Sequence, residues 1–151
     1  MANAFYPKAL NKWAEGSIHW SSAGSDTFTV HLVYSSGAGT NYTFSTAHEF
    51  FSDIAATCHT SYTTGIVLTN TSCPDGDGAM DAADATFVSI DSDGTAIGSV
   101  IIVKNTGTAA TSPLLAYFDT GSGLPVTPDG NNITVQWSAA TPYIMGIQST
   151  A

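Results

Sequence analysis

Asp26-Thr27-Phe28-Thr29-Val30-His31-Leu32-Val33-Tyr34 is the stretch that decides the fold class of this chain. On an extended backbone Phe28, Val30, Leu32 and Tyr34 fall on one face, and Thr27, Thr29 and His31 on the other. This period-two pattern predicts a half-buried β-strand. Further segments read as strands at residues 41–44, 62–69, 85–90, 97–104, 114–119 and 132–137. They are separated by turn clusters such as Ser35-Ser36-Gly37-Ala38-Gly39, Thr120-Gly121-Ser122-Gly123 and Pro128-Asp129-Gly130. Short strands at this spacing predict a mainly β chain, an antiparallel β-sandwich or jelly roll.

Two short helices are expected beside the strands. Residues 7–18 place Pro7 in a first helical turn and repeat Leu10, Trp13, Ala14 and Ile18 at three-to-four spacing. In residues 47–54, Thr46-Ala47-His48-Glu49 has capping-box spacing, and Phe50, Phe51 and Ile54 supply an apolar face. The 151 residues are 43% hydrophobic and contain no linker or repeat, so a single β-rich domain over 1–151 is expected. Residues 1–20 form its candidate docking arm or helix.

Charge narrows the function. Lys8, Lys12 and Lys104 are the only basic residues; against twelve Asp and Glu they leave a net charge of -9. Nucleic acids and anionic membranes are bound through Lys and Arg, so neither is an expected partner. Without arginine, the usual bidentate clamp on phosphate is also missing. No apolar run reaches the roughly 20 residues of a membrane-spanning helix. The first eight residues have no apolar core of a secretion signal, and cytoplasmic synthesis is expected. In that compartment Cys58 and Cys73 are expected as free thiols, with a disulfide as the alternative.

The motifs that invite a chemical reading fall short of one. His48-Glu49 starts like a zinc-protease helix, but Ser52 stands where the second histidine belongs. Cys58-His59 are adjacent, and adjacent side chains usually point apart. Asp75, Asp77, Asp81, Asp84, Asp91 and Asp93 are calcium-type ligands, yet Ala79 and Met80 occupy the third-ligand and glycine positions of an EF-hand loop. They read as turn aspartates, with an irregular calcium site as the alternative. No cofactor and no enzymatic activity are expected. Trp13, Trp20 and Trp137 lie in apolar patterns and read as core or interface, with a sugar-binding platform as the alternative. Asn41-Tyr42-Thr43, Asn70-Thr71-Ser72 and Asn132-Ile133-Thr134 match the glycosylation pattern and read as chance matches in a Thr-rich chain.

Several stretches carry a family resemblance. Ala2-Asn3-Ala4-Phe5-Tyr6-Pro7-Lys8-Ala9-Leu10, Gly16-Ser17-Ile18, the strand through Val33 and Thr46-Ala47-His48-Glu49-Phe50-Phe51-Ser52-Asp53-Ile54 resemble a small virion protein of tailed double-stranded-DNA phages. The run from Lys104 through Pro113 to Asp119, and Gly123-Leu124-Pro125-Val126-Thr127-Pro128, resemble the same proteins, so the similarity spans most of the chain. The region from Cys58 to Cys73 and its Asp-rich continuation depart from that pattern. The resemblance implies a cement or decoration protein on the capsid surface, assembled in the host cytoplasm. Its implied partners are the major capsid protein and further copies of itself, a trimer being favoured. A tail or neck component and a carbohydrate-binding adhesive module are the alternatives. The candidate partner-binding residues are Phe5, Tyr6, Lys8 and Lys12, two aromatics and two of the three cations in a terminal region that is mobile unless docked. The alternative is that Phe5 and Tyr6 pack on the chain's own body.

Overall fold

The structure, a computed structural model, describes residues 3–21, 23–36, 42–60, 63–74, 78–139 and 144–146. Its strands are β1 (Ala4–Phe5), β2 (Thr27–Ser36), β3 (Ile66–Val67), β4 (Ala79–Met80), β5 (Ala85–Phe87), β6 (Ala96–Asn105), β7 (Leu114–Phe118), β8 (Ile133–Val135) and β9 (Met145–Gly146). Helix α1 (Pro7–Ala14) lies between β1 and β2. An antiparallel sheet runs in the order β1-β7-β6-β2-β3, and β4·β9 and β5·β8 form separate antiparallel ribbons. The chain is thus mainly β and antiparallel. Among the described residues, no helix is long and apolar enough to cross a membrane.

Strand β2 is buried on both faces rather than one, which corrects the half-buried expectation. Phe28, Val30 and Leu32 lie opposite Lys104, Ile102 and Val100, and this face is covered by Trp20, Met80 and Ile144. Thr29 and His31 lie opposite Val103 and Ile101 on the other face, where Phe51 stacks 4.3 Å from the His31 ring. The Thr29 hydroxyl and one nitrogen of the His31 ring are paired with each other: Thr29 Oγ1 and His31 Nε2 share a 2.9 Å hydrogen bond. Gly65 permits the fit. Its φ is +68°, and a Cβ there would lie 2.6 Å from His31 Cε1.

Several strands are shorter than their apolar runs predict. β5 stops at Phe87 instead of reaching residue 90, because Ser89 adopts a φ of 51° and gives its N–H to Asn132 Oδ1 at 2.9 Å. β8 ends at Val135 instead of 137, and the Trp137 N–H turns to Asp84 Oδ1 at 3.0 Å. The strand expected over 62–69 is confined to β3; Tyr62 lies outside the described residues, and Asn70 has a φ of 55°. Asn41 also lies outside them, and residues 42–44 form no strand, although the Tyr42 N–H donates to the Tyr34 carbonyl at 3.1 Å.

The first expected helix exists but ends at Ala14, four residues early. Gly16, with a φ of 70°, closes it with two capping bonds, Gly16 N–H to Trp13 O at 2.9 Å and Ser17 N–H to Lys12 O at 2.8 Å. Its inward face is Ala9 and Trp13, whereas Leu10 and Ala14 are exposed, so the predicted stripe is rotated. The second expected helix does not form. Phe50 bridges Pro113, and Leu114 donates to the Glu49 carbonyl at 2.9 Å. That pairing commits the backbone to an extended path. Two single 3-10 turns follow, Phe51–Asp53 and Ala55–Thr57. The Asp53 carboxylate, rather than Thr46, accepts the N–H groups of Glu49 and Phe50 at 2.8 and 3.0 Å.

Candidate functional site

The N-terminal candidates meet at the chain's own body. β1 pairs with β7, placing Ala4 opposite Tyr117 and Phe5 opposite Ala116. Phe5 packs edge-on against Trp13 at 5.4 Å. Tyr6 is fully buried, its ring 5.0 Å from Phe44, and its hydroxyl hydrogen-bonds that of Tyr42 at 2.6 Å. The alternative in which both aromatics pack internally therefore describes their positions. Lys8 and Lys12 converge on Glu49, at 3.1 and 3.2 Å, and hold its carboxyl below the usual range. Lys104 is similarly engaged, bonding Asp26 at 2.8 Å and the Ser17 carbonyl at 2.6 Å. Burial alone raises the Asp26 carboxyl, but Lys104 and the His19 N–H outweigh it, and the net shift is downward.

Three polar clusters lie elsewhere. The Tyr42 hydroxyl links Tyr6 to His48 Nδ1, 3.1 Å away. The Tyr34 hydroxyl donates to Asp93 Oδ2 at 2.6 Å, and His59 Nε2 lies 3.6 Å from the same oxygen. The Tyr34 bond holds the Asp93 carboxyl low, while burial, followed by that carboxylate, raises the Tyr34 phenol. His31 borders a hydroxyl-lined cavity of about 240 Å³. Its Nδ1 has no hydrogen-bond partner among the described residues, and burial pushes its pKa down to about 4. Both cysteines are free; Cys58 is buried, which pushes its thiol up to about 12, and Cys73 is exposed.

The acidic stretch is dispersed. Asp81 accepts its neighbour's N–H at Ala82, Asp84 accepts that of Trp137, and Asp93 accepts that of Thr95. Asp75 and Asp77 lie outside the described residues. Among the described residues, no three His, Cys, Asp or Glu side chains gather closely enough to hold a metal ion.

A groove of about 660 Å³ opens on one face of the sheet. Its floor is the sheet face carrying Leu32, Val100 and Phe118; the turn at 120–124 makes one wall and β8 with Trp137 the other. Every described lining residue is uncharged, and none titrates near neutral pH. The Phe118 and Trp137 rings lie 5.9 Å apart. Trp137 is fixed through its indole N–H, which donates to the Ala83 carbonyl at 3.2 Å. Thr120 is fixed through Asn3, whose Oδ1 accepts its hydroxyl at 2.8 Å and its N–H at 3.2 Å. The apolar pattern marks Trp137 as core or interface, with a sugar-binding platform as the alternative, but carries no sign of the groove. Its residues come from β2, β6, β7, β8 and the segments that connect and flank them, and no local pattern joins them.

No protein-family model matches this chain, and no curated protein shows significant similarity to it.

Proposed function

We propose that this chain is a structural protein of a tailed double-stranded-DNA phage virion that binds the outer capsid lattice and stabilises the head as cement. The observation that carries this reading is the use of its cations. All three lysines are spent on ion pairs within the chain, two clamping α1 to Glu49 and one tying Asp26 to the Ser17 backbone. The charge left for partners is acidic, which suits a particle component that has to stay soluble and avoid DNA during assembly. The resemblance over the N-terminal and C-terminal stretches supplies the virion context.

In this reading the partner is the major capsid protein and the chain acts as a homo-oligomer, a trimer. Contacts that are individually weak then add through avidity across neighbouring capsid subunits. The docking contact lies on the exposed surface of α1, with Leu10, 39% exposed, on one side and the Glu49-paired Lys8, its side chain 42% exposed, on the other. Phe5 and Lys12 shape that surface from beside it, and Tyr6 supports it from within. In this reading the fold is a β-sandwich or jelly roll, with the two ribbons as its second layer.

The test is binding of purified protein to expanded capsids that lack it, followed by heating. Saturable binding with a raised disruption temperature is expected. Folded protein that leaves the capsids bare, or binds without protecting them, overturns the cement reading.

A further inference from the structure

We infer that the groove between the sheet face and Trp137 is a binding site for a neutral saccharide, an activity separate from docking on a head. The first argument is electrostatic. The chain carries a net charge of -9, yet no charged side chain is among the described residues lining this groove. An anionic ligand meets a repulsive field with no cation among the described lining residues to pair with it, and a cationic ligand finds no carboxylate among them. A neutral ligand avoids both costs.

The second argument is the arrangement of apolar and polar groups. Phe118 and Trp137 place two rings in the groove, while Thr120, Ser122, Thr134 and Gln136 add hydroxyl and amide groups to its walls. A pyranose has matching chemistry, an apolar C–H face for stacking and hydroxyls around its edge. The indole N–H of Trp137 is already bonded to Ala83, so this side chain offers its ring and not its donor. Both Trp137 and Thr120 are held before any ligand arrives, which lowers the ordering cost of binding. A volume of about 660 Å³ lies within the range typical of small-molecule sites and admits a short oligosaccharide.

The experiment titrates the full chain with short uncharged oligosaccharides of glucose, galactose and N-acetylglucosamine, with uronic-acid oligomers as the charged comparison. Amide chemical shifts and tryptophan fluorescence report binding. The expected result is saturable binding of at least one neutral sugar at or below about 10 mM, with shifts at Val135 and Gln136. Charged oligomers are expected to bind at least roughly tenfold more weakly. Ser122→Trp, at an exposed turn, fills the groove mouth and is expected to abolish binding without changing the unfolding temperature. Trp137→Leu removes the stacking ring and is expected to weaken binding at least about tenfold. Absence of saturable binding by every neutral sugar, equal binding of charged oligomers, or undiminished binding by folded Ser122→Trp overturns the proposal. If sugars fail and Ser122→Trp instead loses capsid binding, the groove belongs to a protein partner and the saccharide site is likewise overturned.

Discussion

His31 sits at a position whose alternation marks it as solvent-facing, yet it is 2% exposed and its Nδ1 is unpartnered among the described residues. An unfolded histidine takes up its proton near pH 6.5, whereas this buried ring stays neutral down to about 4. Above pH 6.5 both states are neutral and stability is unaffected by this group. As pH falls from 6.5 to about 4, only the unfolded chain gains the proton, so stability drops; below that it levels off. The loss approaches ~1.4 kcal/mol per pH unit, roughly 3 kcal/mol in all. Urea unfolding at a series of pH values is expected to show this slope for the native chain and a flatter one for His31→Gln. Equal slopes in the two proteins remove His31 as the cause.

The N-terminal segment shows how an element's role changes once its partners are known. Phe5, Tyr6, Lys8 and Lys12 stand out in the sequence as an aromatic and cationic cluster, but β1 completes the sheet and Tyr6 fills its interior. Tyr6→Phe keeps the ring and loses the 2.6 Å bond to Tyr42, with an expected cost of about 1 kcal/mol in chemical denaturation. Deleting residues 1–6 removes the β1 pairing and the buried ring together. A cost of at least about 3 kcal/mol is expected. A deletion no more costly than Tyr6→Phe means the segment is not docked in solution. Residues 47–54 teach the complementary lesson. Their capping-box spacing and apolar face are genuine local signals, and the pairing of residues 49–50 with 113–114 overrides them.

For the whole molecule, burial separates the two cysteines that the sequence presents as a pair. Cys73 is expected to react promptly with a maleimide in the folded protein. Cys58, 2% exposed with its thiol pushed up to about 12, is expected to react only on unfolding. Mass spectrometry would then show single labelling in buffer and double labelling in denaturant. Double labelling of the folded chain contradicts this packing.

Read along the chain alone, the residues establish the mainly β antiparallel character, strands β6 and β7 to within a residue at each end, the start of α1 and the acidic charge. These are properties of local periodicity, turn residues and composition, and they need no knowledge of what lies across the sheet. It takes the folded arrangement to show that β2 is covered on both faces, that the lysines are internally paired, and that residues far apart in the chain, uncharged among those described, line one groove. Each of these depends on contacts between distant segments. Burial, hydrogen-bond satisfaction and ion pairing are energies of pairs, and a linear pattern shows only one member of each pair at a time.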